Sequence, residues 1–276
     1  MKPRPRVLVP AVALLTAVAV SAPAAASGAP RAAVASPAAA TAGVPAPAAP
    51  RATDPLPDRL RGKDVTTLGT KKKLVALTFD AGGGAGGVAS ILRTLKREKV
   101  PATFFLTGRW ARVYPDLVEK IAARGFVLGN HTDSHPHVPQ LSTARLKAEV
   151  KATDRAVRAA AGRGTKPFFR FPYGDRRSSD ITRLNDLGYL CVRWTVDTAG
   201  WLGTSGGQSV STVLSRVLRG LQPGEIILMH VGQHPTDGST LDADALPRII
   251  SELRARGYGF TTVEALVDPK AAATSR

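Results

Sequence analysis

An α/β fold built on a mainly parallel sheet, open or closed as a barrel, is predicted by three features of the chain. Short apolar runs of strand length alternate with segments of helical spacing. Ionisable residues stand at the ends of successive strand candidates. All five histidines fall in two short windows, GNHTDSHPH with His131, His135 and His137, and LMHVGQH with His230 and His234. Histidine both ligates metals and carries protons near neutral pH, so this clustering points to a chemical site.

Taken in order, Leu74 to Phe79 is a strand candidate, Gly87 to Lys99 has helical spacing at Val88, Ile91, Leu92 and Leu95, and Ala102 to Thr107 is a second strand. A helix around Asp116 to Ala123, a strand at Phe126 to Gly129 and a long helix from Thr143 to Ala161, capped by Ser142, continue the alternation. Further strands are expected at Phe168 to Phe171, Leu190 to Val196, Glu225 to His230 and Tyr258 to Thr262. Helices near Ile181–Leu187, Val210–Leu218 and Ala245–Arg256 separate them. Asp80 follows the first strand, His131 and His135 the third, and Asp197 the run Leu190 to Val196, while Arg170 and His230 end theirs. In a barrel the C-terminal rim of the strands is the active-site face, so residues distant in sequence would converge there.

The N-terminus reads as an export signal, residues 1–27: Lys2, Arg4 and Arg6, then an apolar run from Val7 to Val20, then small residues suited to cleavage. The run is shorter than a bilayer span needs, so no transmembrane anchor is expected after cleavage. Residues 28–53, rich in Ala and Pro, predict a disordered spacer, and 54–276 one catalytic domain. The single Cys191 lies in an apolar run and is expected to be a buried thiol. Of the +17 formal charge, five basic residues precede the first acid, Asp54, leaving +12 on the domain. Such a field suits an anionic cell wall, and no nucleic-acid module is recognisable. Gly82 to Gly87 contains a GxGxxG pattern after a strand, but no acid ends the second strand to hold a ribose, which argues for a close-packed loop rather than a dinucleotide site.

Taken together, Thr78-Phe79-Asp80, His131-Thr132-x-x-His135, Arg170-Phe-Pro172-Tyr173-Gly174, Asp197 with Trp201, and Leu228-Met-His230 resemble, in order, the motifs of the polysaccharide deacetylases, the NodB homology domain of carbohydrate esterase family 4. The resemblance runs from about Leu74 to Leu266. It implies a distorted (β/α)7-type barrel and a secreted hydrolase acting on carbon–nitrogen bonds other than peptide bonds, removing acetyl groups from peptidoglycan or chitin-like glycans. A monomer acting on a polysaccharide, without nucleic acid, is expected.

By that resemblance, His131 and His135 would hold a divalent metal, zinc or else cobalt or nickel. Asp80 would be the base, Arg170 its charge partner, His230 the acid, and Asp197 the residue that orients His230. The Tyr173 N–H would stabilise the oxyanion, with Trp201 and Leu228 walling the acetyl pocket. Two positions depart from the pattern. Ala81 stands where a second Asp would ligate the metal, so that water, Asp133 or His137 substitutes, or the site is weakened or lost; Gly200 stands where an Asp often precedes the Trp. The competing expectation is a non-catalytic protein that binds cell-wall glycan on the same scaffold.

Overall fold

The computed structural model describes residues 56–268; the export signal, the spacer, residues 54–55 and the last eight residues lie outside them. Nine strands and seven α-helices are found among the described residues. They run β1 (Asp64–Val65), β2 (Leu74–Ala81), α1 (Val88–Glu98), β3 (Thr103–Leu106), α2 (Gly108–Val113), α3 (Pro115–Ala123), β4 (Val127–Asn130), α4 (Thr143–Ala161), β5 (Phe168–Phe169), α5 (Ser178–Asp186), β6 (Leu190–Val192), β7 (Val196–Asp197), α6 (Val210–Arg219), β8 (Glu225–His230), α7 (Leu241–Ala255) and β9 (Gly259–Thr261). The sheet order is β1-β6-β5-β4-β3-β2-β8-β7, with β9 on the first half of β2. Every pairing of named strands is parallel.

Alternation of side chains along each strand separates the core from the site. On β2, Val75, Leu77 and Phe79 join the large cluster under the helices with Ile91, Leu95, Ile249 and Phe260. Ala76 belongs to the opposite layer with Phe105, Leu190 and Ile226. Thr78 and Asp80 share the face of Ala76, so the inner file of β2 turns from apolar to ionisable as it reaches the rim. All eight residues of β2 are buried, as a central parallel strand covered on both faces should be.

Local signals act as expected where they are strong. The Ser142 Oγ accepts the Arg145 N–H at 3.2 Å and opens α4, and Gly162, at φ 68°, closes it in the left-handed region that glycine enters without strain. The expected strand Leu190 to Val196 is two strands instead. Between them Arg193 N–H donates to Val65 O at 2.7 Å and Thr195 N–H to Ile226 O at 2.8 Å, so the chain leaves β1 for β8 and curls the sheet toward a barrel. Two elements escaped the sequence: β1, of two residues, and α2, whose first turn is capped by the Thr107 hydroxyl. Helix α7 begins four residues before the expected Ala245, which places Asp242 in its first turn. Cys191 is buried and unpaired, and burial pushes its thiol well up.

The glycine loop is close-packed. A Cβ on Gly86 would lie 2.8 Å from Gln233 Oε1 and one on Gly87 2.8 Å from the Val231 carbonyl oxygen. Trp110 Nε1 donates to Gly84 O at 3.2 Å, tying the loop to α2.

Candidate active site

Parallel register brings the ionisable strand ends together. Asp80 stands opposite His230 on β8 and Phe105 on β3, while Asn130, just before His131, stands opposite Phe169. Around them opens a cleft of about 680 Å³, lined by Asp80, His131, His135, Tyr173, Trp201 and His230 among others.

At the bottom lies Arg170, fully buried with all its nitrogens engaged. Nη1 donates to Asp80 Oδ1 at 2.8 Å and Thr78 Oγ1 at 2.9 Å, Nε to Val192 O at 3.1 Å, and Nη2 to Arg193 O at 2.8 Å. The guanidinium also faces the Phe105 ring at 4.1 Å. Burial alone would push the Asp80 carboxyl up, but Arg170, His131 and His230 together outweigh it and hold the group below its ordinary value. Asp80 is therefore an ionised carboxylate at neutral pH.

His131 and His135 do not share a helical turn. They sit in an irregular loop in which Thr132 and His135 adopt φ of 65° and 61°, a costly conformation for residues with a Cβ. The loop is held by the buried Glu149, which accepts the Asp133 N–H at 2.9 Å and the Ser134 N–H at 2.8 Å. The two Nε2 atoms converge to 3.2 Å, and Asp80 Oδ2 lies 3.4 Å from that of His131. His131 Nδ1 lies 2.8 Å from the Arg170 carbonyl, which accepts a hydrogen bond from its N–H and leaves the Nε2 lone pair for the cleft. Burial lowers the pKa of both rings, that of His135 to about 4, so both are neutral donors at physiological pH.

As a donor set, two neutral imidazoles so disposed fit a divalent cation through two ligands. Among the described residues no group of three or more His, Cys, Asp or Glu is arranged to hold a metal ion. Ala81 is buried in the apolar cluster. The two candidate substitutes are engaged elsewhere: Asp133 chelates Arg112 at 2.6 and 3.0 Å, and His137 Nδ1 lies 3.0 Å from Asp175 while its ring stacks on Tyr173 at 4.3 Å.

The other expected site residues gather here with one correction. Tyr173, 60% exposed, is in the left-handed region with its ring edge on His135 at 4.4 Å, and Trp201, 51% exposed, stands 6.3 Å from His230 between ring centres. Leu228 is buried beneath them. Asp197 lines the cleft, yet its Oδ1 accepts the Ala199 N–H at 2.8 Å, and the carboxylate beside His230 Nδ1 is Asp242 Oδ2, at 3.6 Å. Short Asp–X–X contacts of this kind cap turns, which is why Asp197 turns to its own loop. The His230 pKa is raised: burial would lower it, but Asp242, Asp80 and Asp197 outweigh burial. Trp194 and Gln233 also line the cleft; sequence reasoning singled out neither, nor Asp242.

The arrangement offers a held, ionised carboxylate, a pair of neutral imidazoles and a further imidazole of raised pKa across the cleft, with exposed aromatic walls. A family profile described as polysaccharide deacetylase matches residues 67–192. The chain is 36% identical over 197 residues to a peptidoglycan-N-acetylglucosamine deacetylase of Bacillus cereus, covering 71% of this chain and 68% of that protein. It is 31% identical over 203 residues to a chitooligosaccharide deacetylase of Sinorhizobium fredii, covering 71% and 93%. Among solved structures, a mutant with restored enzymatic activity of a carbohydrate esterase family 4 pseudoenzyme from Bacillus anthracis superposes with a TM-score of 0.64 at 31% identity, covering 71% and 68%.

Proposed function

The chain belongs to the polysaccharide deacetylase family, and from that premise we propose that it is a secreted, metal-dependent enzyme hydrolysing N-acetyl groups of a cell-wall glycan, peptidoglycan first and chitin-like oligomers next. The observation that carries this reading is the buried Asp80–Arg170 pair aimed at the imidazoles, with His230 beside it on β8. A buried carboxylate kept ionised by a fully engaged guanidinium is costly to build and suits a base. Export is supported by the N-terminal pattern of charge and apolar residues, and wall association by the basic domain.

In the hydrolysis, water attacks the acetyl carbonyl carbon as Asp80 Oδ2 takes its proton; Arg170 keeps the carboxylate in place through Oδ1. His131 and His135 would hold a divalent cation, zinc or else cobalt or nickel, which when bound polarises the acetyl carbonyl and acidifies water. The Tyr173 N–H is the donor assigned to the developing oxyanion, with Trp201 and Leu228 enclosing the methyl group. His230 then gives its proton to the departing nitrogen, the carbon–nitrogen bond breaks, and acetate and a free amino sugar result. Its Nδ1 is buried, so the proton leaves from Nε2.

The pH profile follows from these groups. Asp80 loses its proton below its ordinary value of 3.8, so the acid limb of kcat/KM that it sets is expected below that value. His230 holds its proton above its ordinary 6.5, so the alkaline limb is expected above that value. An alkaline limb below pH 6.5 would remove His230 from the role of acid.

Ala81 supports a second reading, a glycan-binding protein without turnover, to which the pseudoenzyme neighbour lends weight. Acetate release from acetylated chitooligosaccharides and peptidoglycan, after chelation and after adding back zinc, cobalt or nickel, separates the two. Metal-restored release supports the deacetylase, and none with any metal, while the protein sediments with cell wall, supports the binder. Outer partners of metal ligands are worth about 10–100-fold in affinity. A whole ligand should exceed tenfold, so Ala81→Asp is expected to tighten zinc binding by more than about tenfold by calorimetry. Without metal it should lower thermal stability, since its carboxylate is buried among apolar groups.

A further inference from the structure

One departure from the family pattern, Gly200, lies directly against an acid of α7. A Cβ added to Gly200 would collide with the Asp242 carboxylate, its Cγ 2.7 Å away. Position 200 and position 242 therefore compete for the same volume, and the chain fills it from α7. The carboxylate there is buried and fixed: Oδ1 accepts the Thr198 Oγ1–H at 2.6 Å and Oδ2 the His230 N–H at 2.8 Å. Oδ2 also stands 3.6 Å from His230 Nδ1, a buried nitrogen with no hydrogen-bond partner. That separation is longer than a hydrogen bond, and a small rotation of the imidazole would close it. Such contacts commonly tighten only once substrate is bound.

The geometry points to Asp242 as the positioning residue of His230, replacing from the first turn of α7 the acid absent at Gly200. The claim rests on the deacetylase reading for its catalytic consequence, and on the structure alone for the Asp242–His230 pairing. In this arrangement Asp242 fixes Nδ1 as the protonated nitrogen, directs Nε2 into the cleft and favours the imidazolium that donates to the leaving amine. Asp197 adds charge at a distance without touching the ring.

The test uses the full chain and three variants: Asp242→Ala, Asp242→Asn, and Asp242→Ala with Gly200→Asp. With acetylated chitooligosaccharide and added zinc, kcat of Asp242→Ala is expected to fall at least tenfold with KM within about threefold, since His230 acts on the reacting atoms and not on glycan binding. Asp242→Asn keeps the size and loses the charge, and should lose kcat similarly. The double variant frees the space that Gly200 shares with Asp242 and should regain most of the lost kcat.

A variant that folds and keeps wild-type kcat per folded molecule, judged by thermal unfolding, overturns the proposal and leaves Asp242 a backbone anchor. Histidine-ring nitrogen NMR supplies a readout independent of turnover. His230 should carry its neutral-form proton on Nδ1 in the wild type, lose that preference in Asp242→Ala and recover it in the double variant. If the wild type releases no acetate but this signature holds, the pairing stands and only the deacetylase reading fails. If the signature is unchanged by Asp242→Ala, the pairing itself is wrong.

Discussion

Asp80→Asn is expected to cut acetate release by about 10²–10⁴-fold, the range general-base removal typically costs. The amide keeps the shape of the carboxylate and an oxygen for Arg170 Nη1, but it cannot take a proton from water. Glycan binding should change little, because the pocket proposed for the acetyl group is walled by Tyr173, Trp201 and Leu228, none of which depends on the charge. The check is acetate release at saturating substrate beside co-sedimentation with cell wall. A binding protein on the same scaffold would show no release in the wild type and equal sedimentation in both. A wild type that releases acetate and an Asp80→Asn variant that releases as much would remove Asp80 from the chemistry altogether.

Arg170→Leu is expected to cost about 3–5 kcal/mol of stability, the usual penalty for breaking a buried ion pair from one side. The loss would leave the Asp80 carboxylate nearly buried without its guanidinium, and the Val192 and Arg193 carbonyls without their donors. Removing the strongest influence that lowers the Asp80 pKa lets burial push it up, so turnover should fall with stability. Urea unfolding measures the first effect, as a lower midpoint with unchanged slope. Adding Asp80→Asn to Arg170→Leu should recover part of the stability, since no charge is then left unpaired. A loss under about 1 kcal/mol would mean that water reaches the pair and that the buried bridge contributes little. Arg170→Lys should not rescue, because one ammonium cannot serve two carbonyls, a hydroxyl and a carboxylate at four separate points.

Much of the fold was legible because its signals are local. Helix α4 has the expected ends, set by Ser142 and Gly162, and β8 ends at His230 as its apolar run suggests. Strand ends carry Asp80, His131, Arg170 and His230, and parallel pairing alone gathers them at one rim. Where the sequence misled, the missing information was pairing. Leu190 to Val196 is one apolar run in the chain and two strands in the sheet, because its backbone changes partner from β1 to β8. His131-x-x-x-His135 has helical spacing, yet Glu149, from another element, holds it as an irregular loop.

Asp242 marks the boundary most clearly. The helical spacing read from the sequence starts at Ala245, so the first turn of α7, with Leu241, Asp242 and Asp244, fell outside it. Two acids just before an apolar helix are themselves a start signal, favoured by the helix dipole, and that clue was available. Nothing in the order of residues says which carboxylate will stand against the His230 imidazole. By itself the sequence determined most of the elements, the ionisable strand ends and the family motifs, because periodicity, caps and motif spacing act over a few residues. Only the tertiary structure decided that Asp242 and not Asp197 lies beside His230, and that Asp133 and His137 are already committed to Arg112 and Asp175, because those contacts depend on how a helix and loops pack across the rim.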